Sequence, residues 1–430
     1  MRKIMSTFVI IVLAMILVMS LVGCNGGTKT LAKVPELSSD VDRDKVKLAT
    51  INSCINDFSA RLTSSVYKES DKKSNLAMSP LAVYMSLAML GECVGDDERA
   101  GIDKLLGTSY NTVYSSYKAL FDDVVFDYKD DIGRERSHLA ITNSIWLDKN
   151  VDFNKDTVTR LANNYYCNSF ATKFKDDNKG ANRAIQKFVK KNTKGLIDGN
   201  FNLSEETIFA LVSTLYLKDI WNEYGDDLPF GKDKYTFINR DGSTKETQLL
   251  ESEYSTGNVQ KLDNAMMFKV ATRANMSIKF ILPNRNVSID EVMNSANIKN
   301  ANSIKDYGAV DDVAKKKYFT RCYFPEFSGA IDSDLAGIIE REFGFKMPNT
   351  LKNLTTTPLD GGGSILHRAT LKVDKHGIEG ASAVVLPGAT SPGPDEYEKV
   401  YQDFVVDRAF GFIVSDFQGH PIFTGVVNHI

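Results

Sequence analysis

The sequence is poor in the groups that most enzyme chemistry needs. It holds five histidines, His138, His367, His376, His420 and His429, and none has a metal-ligating residue four positions on. No G-x-S-x-G, H-E-x-x-H, G-x-x-x-x-G-K-[ST] or G-x-G-x-x-G segment occurs. That argues against a nucleophile elbow, a zinc-protease helix, a phosphate loop and a dinucleotide turn. Cysteine is scarce as well: five in 430 residues, with no C-x-x-C. A small disulfide scaffold and a zinc knuckle are therefore not expected, and Cys54, Cys93, Cys167 and Cys322 read as buried single thiols. A net charge of −3 lacks the basic footprint of a nucleic-acid-binding protein. No cofactor, metal or enzymatic activity is expected.

What is present begins with a targeting segment. Arg2 and Lys3 precede an apolar run over 8–22, which ends in Leu21-Val22-Gly23-Cys24. A basic start, an apolar core and a small residue before the cut form a secretory signal. The LVGC ending resembles the bacterial lipobox, in which the cysteine is acylated. This predicts a signal over 1–24, lipidated Cys24 as membrane anchor, a polar tether over 25–44 and a folded domain over 45–430. A plain signal peptide or a membrane-spanning anchor is the alternative.

Helices come first. Ile51, Ile55, Phe58, Leu62 and Val66 share one face of a helix over 44–67. Ser79 and Pro80 supply an N-cap and a first-turn proline for a second helix, apolar nearly all round. Further helices are expected over 97–106, 110–128, 155–166, 178–193 and 333–343. Strands dominate after Trp221, and a final pair is expected over 410–417 and 422–427. The run IFALVSTLYL at 208–217 is apolar on both phases of the strand period, as in a central strand covered on both faces. Helices followed by strands, without repeats, argue for one α+β domain.

The segment KVDKHGIEGASAVVLPGATSPGPDEYE, 372–398, starts as a strand and ends in prolines, glycines and acids that cannot pack a core. It reads as an exposed loop held by strands at both ends.

From about residue 45 onward the chain resembles the serpin family. Asn75-Leu76-Ala77-Met78-Ser79-Pro80 is similar to the N-x-x-x-S-P segment that opens the second helix. The segment 185–197 resembles IN-x-WV…T-x-G-x-I, and 212–221 resembles the strand VNAIYFKG-x-W. Phe324-Pro325-Glu326-Phe327 resembles the LPKF corner, and Ile365-Leu366-His367-Arg368-Ala369 resembles V-x-HKA. The segments 373–383 and 410–427 resemble the loop hinge and the terminal hairpin.

The resemblance implies three β-sheets, eight or nine helices and a reactive-centre loop displayed as protease bait. Cleavage would let the loop insert as a central strand and trap the acyl-enzyme. The hinge would be Gly377, Ile378, Glu379, Gly380, Ala381, Ser382 and Ala383. Counted from Gly377, the inward phase is Ile378, Gly380, Ser382, Val384 and Leu386, with no charge on it. Ile378 stands where the family usually has Thr or Ser, and Pro387 should end pairing near Leu386. The reactive bond would be Thr390–Ser391, with Ala389–Thr390 and Ser391–Pro392 as alternatives. Small, uncharged residues there imply an elastase- or subtilisin-like serine protease as partner, or a papain-like cysteine protease.

Ser79, Ser213 and His367 would form a polar shutter cluster, structural rather than catalytic. Trp221 belongs to the same strand motif as Ser213. Glu326 and Lys375 carry signs exchanged relative to the family's ion pair and are expected to latch the top of the sheet. A monomer is expected. The serious rival is a non-inhibitory serpin whose loop does not insert; a solute-binding lipoprotein is the remote one.

Overall fold

The computed structural model describes residues 27–36, 41, 43–129, 135–221, 227–305, 307–358, 365–381 and 397–430. In chain order it begins with β1 (Lys29–Ala32), α1 (Lys45–Glu69), β2 (Leu76–Met78), α2 (Pro80–Cys93), α3 (Asp96–Leu106) and α4 (Tyr110–Val124). The Asp44 carboxylate caps α1, and the Ser79 hydroxyl accepts from Ala82 N at the start of α2. Pro80 at the first turn has no N–H to leave unpaired. All but one residue of α2 is buried, as its all-round apolarity requires.

Next come β3 (Phe126–Lys129), β4 (Glu135–Asp148), α5 (Lys155–Tyr165), β5 (Cys167–Thr172), α6 (Asn178–Asn192) and β6 (Phe209–Ile220). The strand-rich half holds β7 (Phe230–Ile238), β8 (Thr244–Glu251), β9 (Ser255–Thr256), β10 (Gln260–Leu262), β11 (Ala265–Ala271) and β12 (Ser277–Pro283). It continues with α7 (Ile289–Val292), α8 (Ser295–Ser303), β13 (Val310–Asp311), β14 (Lys316–Phe324), β15 (Phe327–Asp334) and α9 (Ala336–Phe343). The chain closes with β16 (Leu366–Asp374), β17 (Gly377–Ala381), β18 (Glu398–Val405), β19 (Phe410–Ser415) and β20 (Pro421–Val427).

Hydrogen bonding joins fourteen strands in the order β1-β5-β4-β6-β17-β16-β15-β2-β20-β19-β12-β11-β10, with β3 on β4. One register pair, Ala330↔Leu76, is all that links β15 to β2. The large sheet therefore divides there into two parts, and β13-β14-β8-β7 with β9 and β18 forms a third sheet. Three sheets and nine helices among the described residues give the α+β architecture expected. One core runs from α1 and α2 to both parts of the large sheet. A second, smaller cluster packs α6 over β4 through Trp146, Phe174, Ile185 and Val189.

Three boundaries differ from the sequence reading. The helix expected over 110–128 stops at Val124, and Phe126–Lys129 pairs with β4 as a strand. The helix expected from 333 starts at Ala336, because Ser333 and Asp334 still pair with β16. The segment expected as a tether contains β1, which pairs antiparallel with β5. Cys93, Cys167 and Cys322 are buried and in no disulfide; Cys54, likewise unbridged, is half-buried. No described helix is long and apolar enough to cross a membrane.

Candidate functional site: a strand-width slot and its hinge

β6 and β16 are not paired with each other. Along 209–218 β6 bonds to β4, and along 366–373 β16 bonds to β15. Among the described residues, a strand fills the space between them only at the top. There β17 pairs with β16 (Asp374↔Gly377, Val373↔Ile378, Lys372↔Glu379) and with β6 (Gly377↔Ile220, Ile378↔Asp219, Ala381↔Lys218). Below it lies a cavity of about 440 Å³, lined by β6, β16, the α2 side chains Leu87 and Leu90, and Phe201. Two strand edges thus face each other across this cavity, in line with the position that β17 fills above it. Unpaired edges of this kind are templates for another strand.

The chain enters the slot at Gly377. Its φ of +150° lies where L side chains rarely sit, and a Cβ there would stand 2.1 Å from the Asp219 carbonyl oxygen. Only glycine lets the backbone turn in this close to β6. Ile378 follows, fully buried and on the inward phase, while Glu379 is half-buried. For the remaining hinge residues, Gly380 and Ala381 belong to β17. Ser382 and Ala383 lie outside the described residues, as do the reactive-bond residues Ala389, Thr390, Ser391 and Pro392 and the lipidation residue Cys24.

Trp221 anchors the top of the slot. Its side chain is buried, its Nε1 donates to the Asp374 carbonyl at 2.9 Å, and its ring meets Phe324 edge-on. Glu326 and Lys375 do meet, but not as the ion pair expected. The Glu326 carboxylate accepts the Lys375 backbone N–H at 3.0 Å, while the Lys375 ammonium pairs with Asp227 at 3.0 Å. His376 Nδ1 reaches the other oxygen of Asp227 at 2.5 Å, and Leu228 N donates to the Lys375 carbonyl. Burial works against ionisation of Asp227, but Lys375 and His376 outweigh it and hold the carboxyl below its ordinary value. The tight turn at 375–376 points both side chains at one acid and leaves Glu326 the amide.

The expected shutter cluster is split in two by the slot. On the β16 side, Ser79 N donates to His367 Nε2 at 3.0 Å. Burial pushes the imidazole down to about 4, so it is neutral and carries its proton on Nδ1. On the β6 side, the Ser213 hydroxyl donates to Asn143 Oδ1 at 2.9 Å. Asn143 Nδ2 in turn donates to the Tyr117 hydroxyl and the Tyr165 carbonyl. A serine is too short to reach across the slot.

Asn143 and Arg368 were not singled out in the sequence. Asn143 left a signal: an amide in the middle of the apolar strand LAITNSIWL must find partners when buried. Arg368 left little. Its Nε pairs with Asp332 at 2.7 Å, its Nη2 donates to the Asn200 carbonyl, and its guanidinium covers the Phe201 ring. It ties β16 to the segment that leads from α6 into β6.

The family model for serpins (serine protease inhibitors) matches residues 53–430. Iripin-1 of Ixodes ricinus is 24% identical over 405 residues, covering 87% of this chain and 93% of its own. The alpha-1-antiproteinase of Rattus norvegicus is 24% identical over 409 residues, covering 88% of each. Among solved structures, the thermophilic serpin tengpin in its native state superposes with a TM-score of 0.68 at 21% identity, covering 94% of this chain and all of that one.

Proposed function

The chain belongs to the serpin family, and on that premise we propose that it is a suicide-type protease inhibitor whose loop, once cut, completes the strand that β17 begins. The observation that carries this reading is the slot itself. Among the described residues, two strand edges stand unpaired against each other below a hinge already docked at their top. Each backbone hydrogen bond gained on insertion adds about 0.5–1.5 kcal/mol. Each apolar side chain that follows Ile378 into the inward phase adds about 1.5–3 kcal/mol.

Thr390–Ser391 is the bond offered, with Ala389–Thr390 and Ser391–Pro392 as neighbours in reach of the same protease. Its small, uncharged residues suit an elastase- or subtilisin-like enzyme with a shallow apolar pocket. The chain acts as a monomer, held by lipid on Cys24 at the outer face of a bacterial membrane, with 45–430 as the inhibitory domain. It presents no catalytic residues of its own.

Mixing the protein with subtilisin or pancreatic elastase and running a denaturing gel tests the reading. A covalent band near the summed mass is expected. A clipped product alone, with no rise in melting temperature after clipping, overturns it in favour of a non-inhibitory serpin.

A further inference from the structure

Two departures from the family pattern face each other. Ile378 stands where serpins usually carry Thr or Ser. Set against VNAIYFKG-x-W, Asp219 holds the place of the glycine. The structure makes them cross-strand partners, Ile378 on β17 and Asp219 on β6. Directly opposed residues of a sheet point to the same face, their Cβ atoms about 5 Å apart. Both are fully buried. A carboxyl is thus enclosed beside an apolar side chain that the docked hinge supplies.

The carboxyl is not idle. It accepts from the Thr272 hydroxyl, and from Ala274 N at 3.3 Å. Arg273 N donates to the Ile220 carbonyl and Thr272 bridges Trp221, so the β11–β12 turn is pinned to the end of β6. The ionisable residues nearest it in chain and strand register are Lys218 on its own strand, His138 on β4, Arg273 in the turn, Asp374 on β16 and Glu379 on β17. His138 is engaged with Asp127 and Asp374 with Lys372. What acts on Asp219 is burial first, then the hydrogen bonds of Thr272, of the Ala274 and Ile220 amides and of the Ser137 side chain on β4. Burial wins and pushes the carboxyl up to about 7.

We propose that Asp219 is a proton-operated catch on the loop hinge: protonated, it tolerates Ile378 and the hinge stays docked; ionised, it favours withdrawal of the hinge and presentation of the loop. Withdrawal takes Ile378 away and lets water reach the carboxylate, which then releases its proton to solvent. Docking is therefore strongest in acid and weakens as pH rises toward neutrality. Above that, the released hinge is the more favoured. The catch rests on the inhibitor reading only for its consequence, a loop that is more available to protease at neutral than at acid pH.

Hydrogen exchange of the 377–381 amides at pH 5 and pH 8, corrected for intrinsic exchange, tests the catch without any protease. Wild-type protection is expected to fall at least tenfold between the two, with a ceiling of about a hundredfold if withdrawal restores an ordinary carboxyl. Asp219→Asn is expected to show equal protection at both. Asp219→Gly, which restores the family residue, serves as a second variant free of titration at this position. Trp221 fluorescence in a Trp146→Phe background reports the same transition optically. Equal wild-type protection at both pH values, or the same fall in both variants, overturns the catch. A wild type that shows the fall but only a clipped product with subtilisin keeps the catch and sinks the inhibitor reading.

Discussion

The backbone amide of Ser79 donates to Nε2 of His367 across 3.0 Å, joining the first turn of α2 to the unfilled edge of β16. That bond needs a neutral ring. His367 is pushed from its ordinary 6.5 down to about 4 by burial. A base whose folded value is lowered gives stability that is present above 6.5 and lost as pH falls toward 4. The loss should approach about 3 kcal/mol. Urea unfolding at pH 7 and pH 4.5 checks this, and His367→Gln should remove the dependence that this residue contributes.

Asp219 should do the opposite. Its folded value is raised from 3.8 to about 7, so its contribution is fully present below about 4 and lost as pH climbs through 7. The size is about 4 kcal/mol. The two groups therefore oppose each other, and the wild type should vary less with pH than either single variant. Asp219→Asn should make unfolding more acid-sensitive than the wild type. A double variant with His367→Gln should flatten the profile in that range.

Gly377→Ala places a methyl 2.1 Å from the Asp219 carbonyl oxygen and penalises a φ of +150°. The hinge should leave the top of the slot, with loss of amide protection over 377–381. The yield of covalent complex with subtilisin should fall severalfold while clipping continues, as read from the stoichiometry of inhibition.

The top of the slot offers a pair of contrasting substitutions. Glu326→Ala removes the acceptor of the Lys375 amide and should cost about 1 kcal/mol. Asp227→Ala removes an exposed pair of contacts to Lys375 and His376 and should cost less than about 1 kcal/mol. Glu326→Ala should therefore polymerise faster on mild heating, measured on native gels, and Asp227→Ala should lie between it and the wild type.

Much of the fold was legible because its signals are local. Ser79-Pro80 marks a helix start whatever surrounds it, and the apolar run of β6 fits a covered central strand. The errors came where one pattern serves two structures. Phe126 and Tyr128 continue the apolar face of α4 and equally alternate as a strand, and pairing with β4 decided between them. Ser333 and Asp334 look like helix caps but are held by β16.

The slot was implied only by resemblance, since an unfilled position leaves no residue to read. The exchanged signs of Glu326 and Lys375 suggested attraction. They could not show that a flexible lysine would turn to an acid 148 positions away. Asp219 went unnoticed because a lone acid at a strand end normally reads as solvated; its burial comes from a turn and a hinge far along the chain.

β1 gives the arrangement a further meaning. By pairing with β5 it covers one outer rim of the fourteen-stranded sheet with its own chain. The facing unpaired edges described here lie in the interior of the sheet, between β6 and β16. A gap at a rim is open along its whole length to any extended chain that drifts past. A gap in the interior is flanked by strands on both sides and capped by β17, so a strand must thread it from one end, in one direction and in one register. Under the proposed inhibitory mechanism, the order of the strands would select the protein's own loop as well as its side chains do.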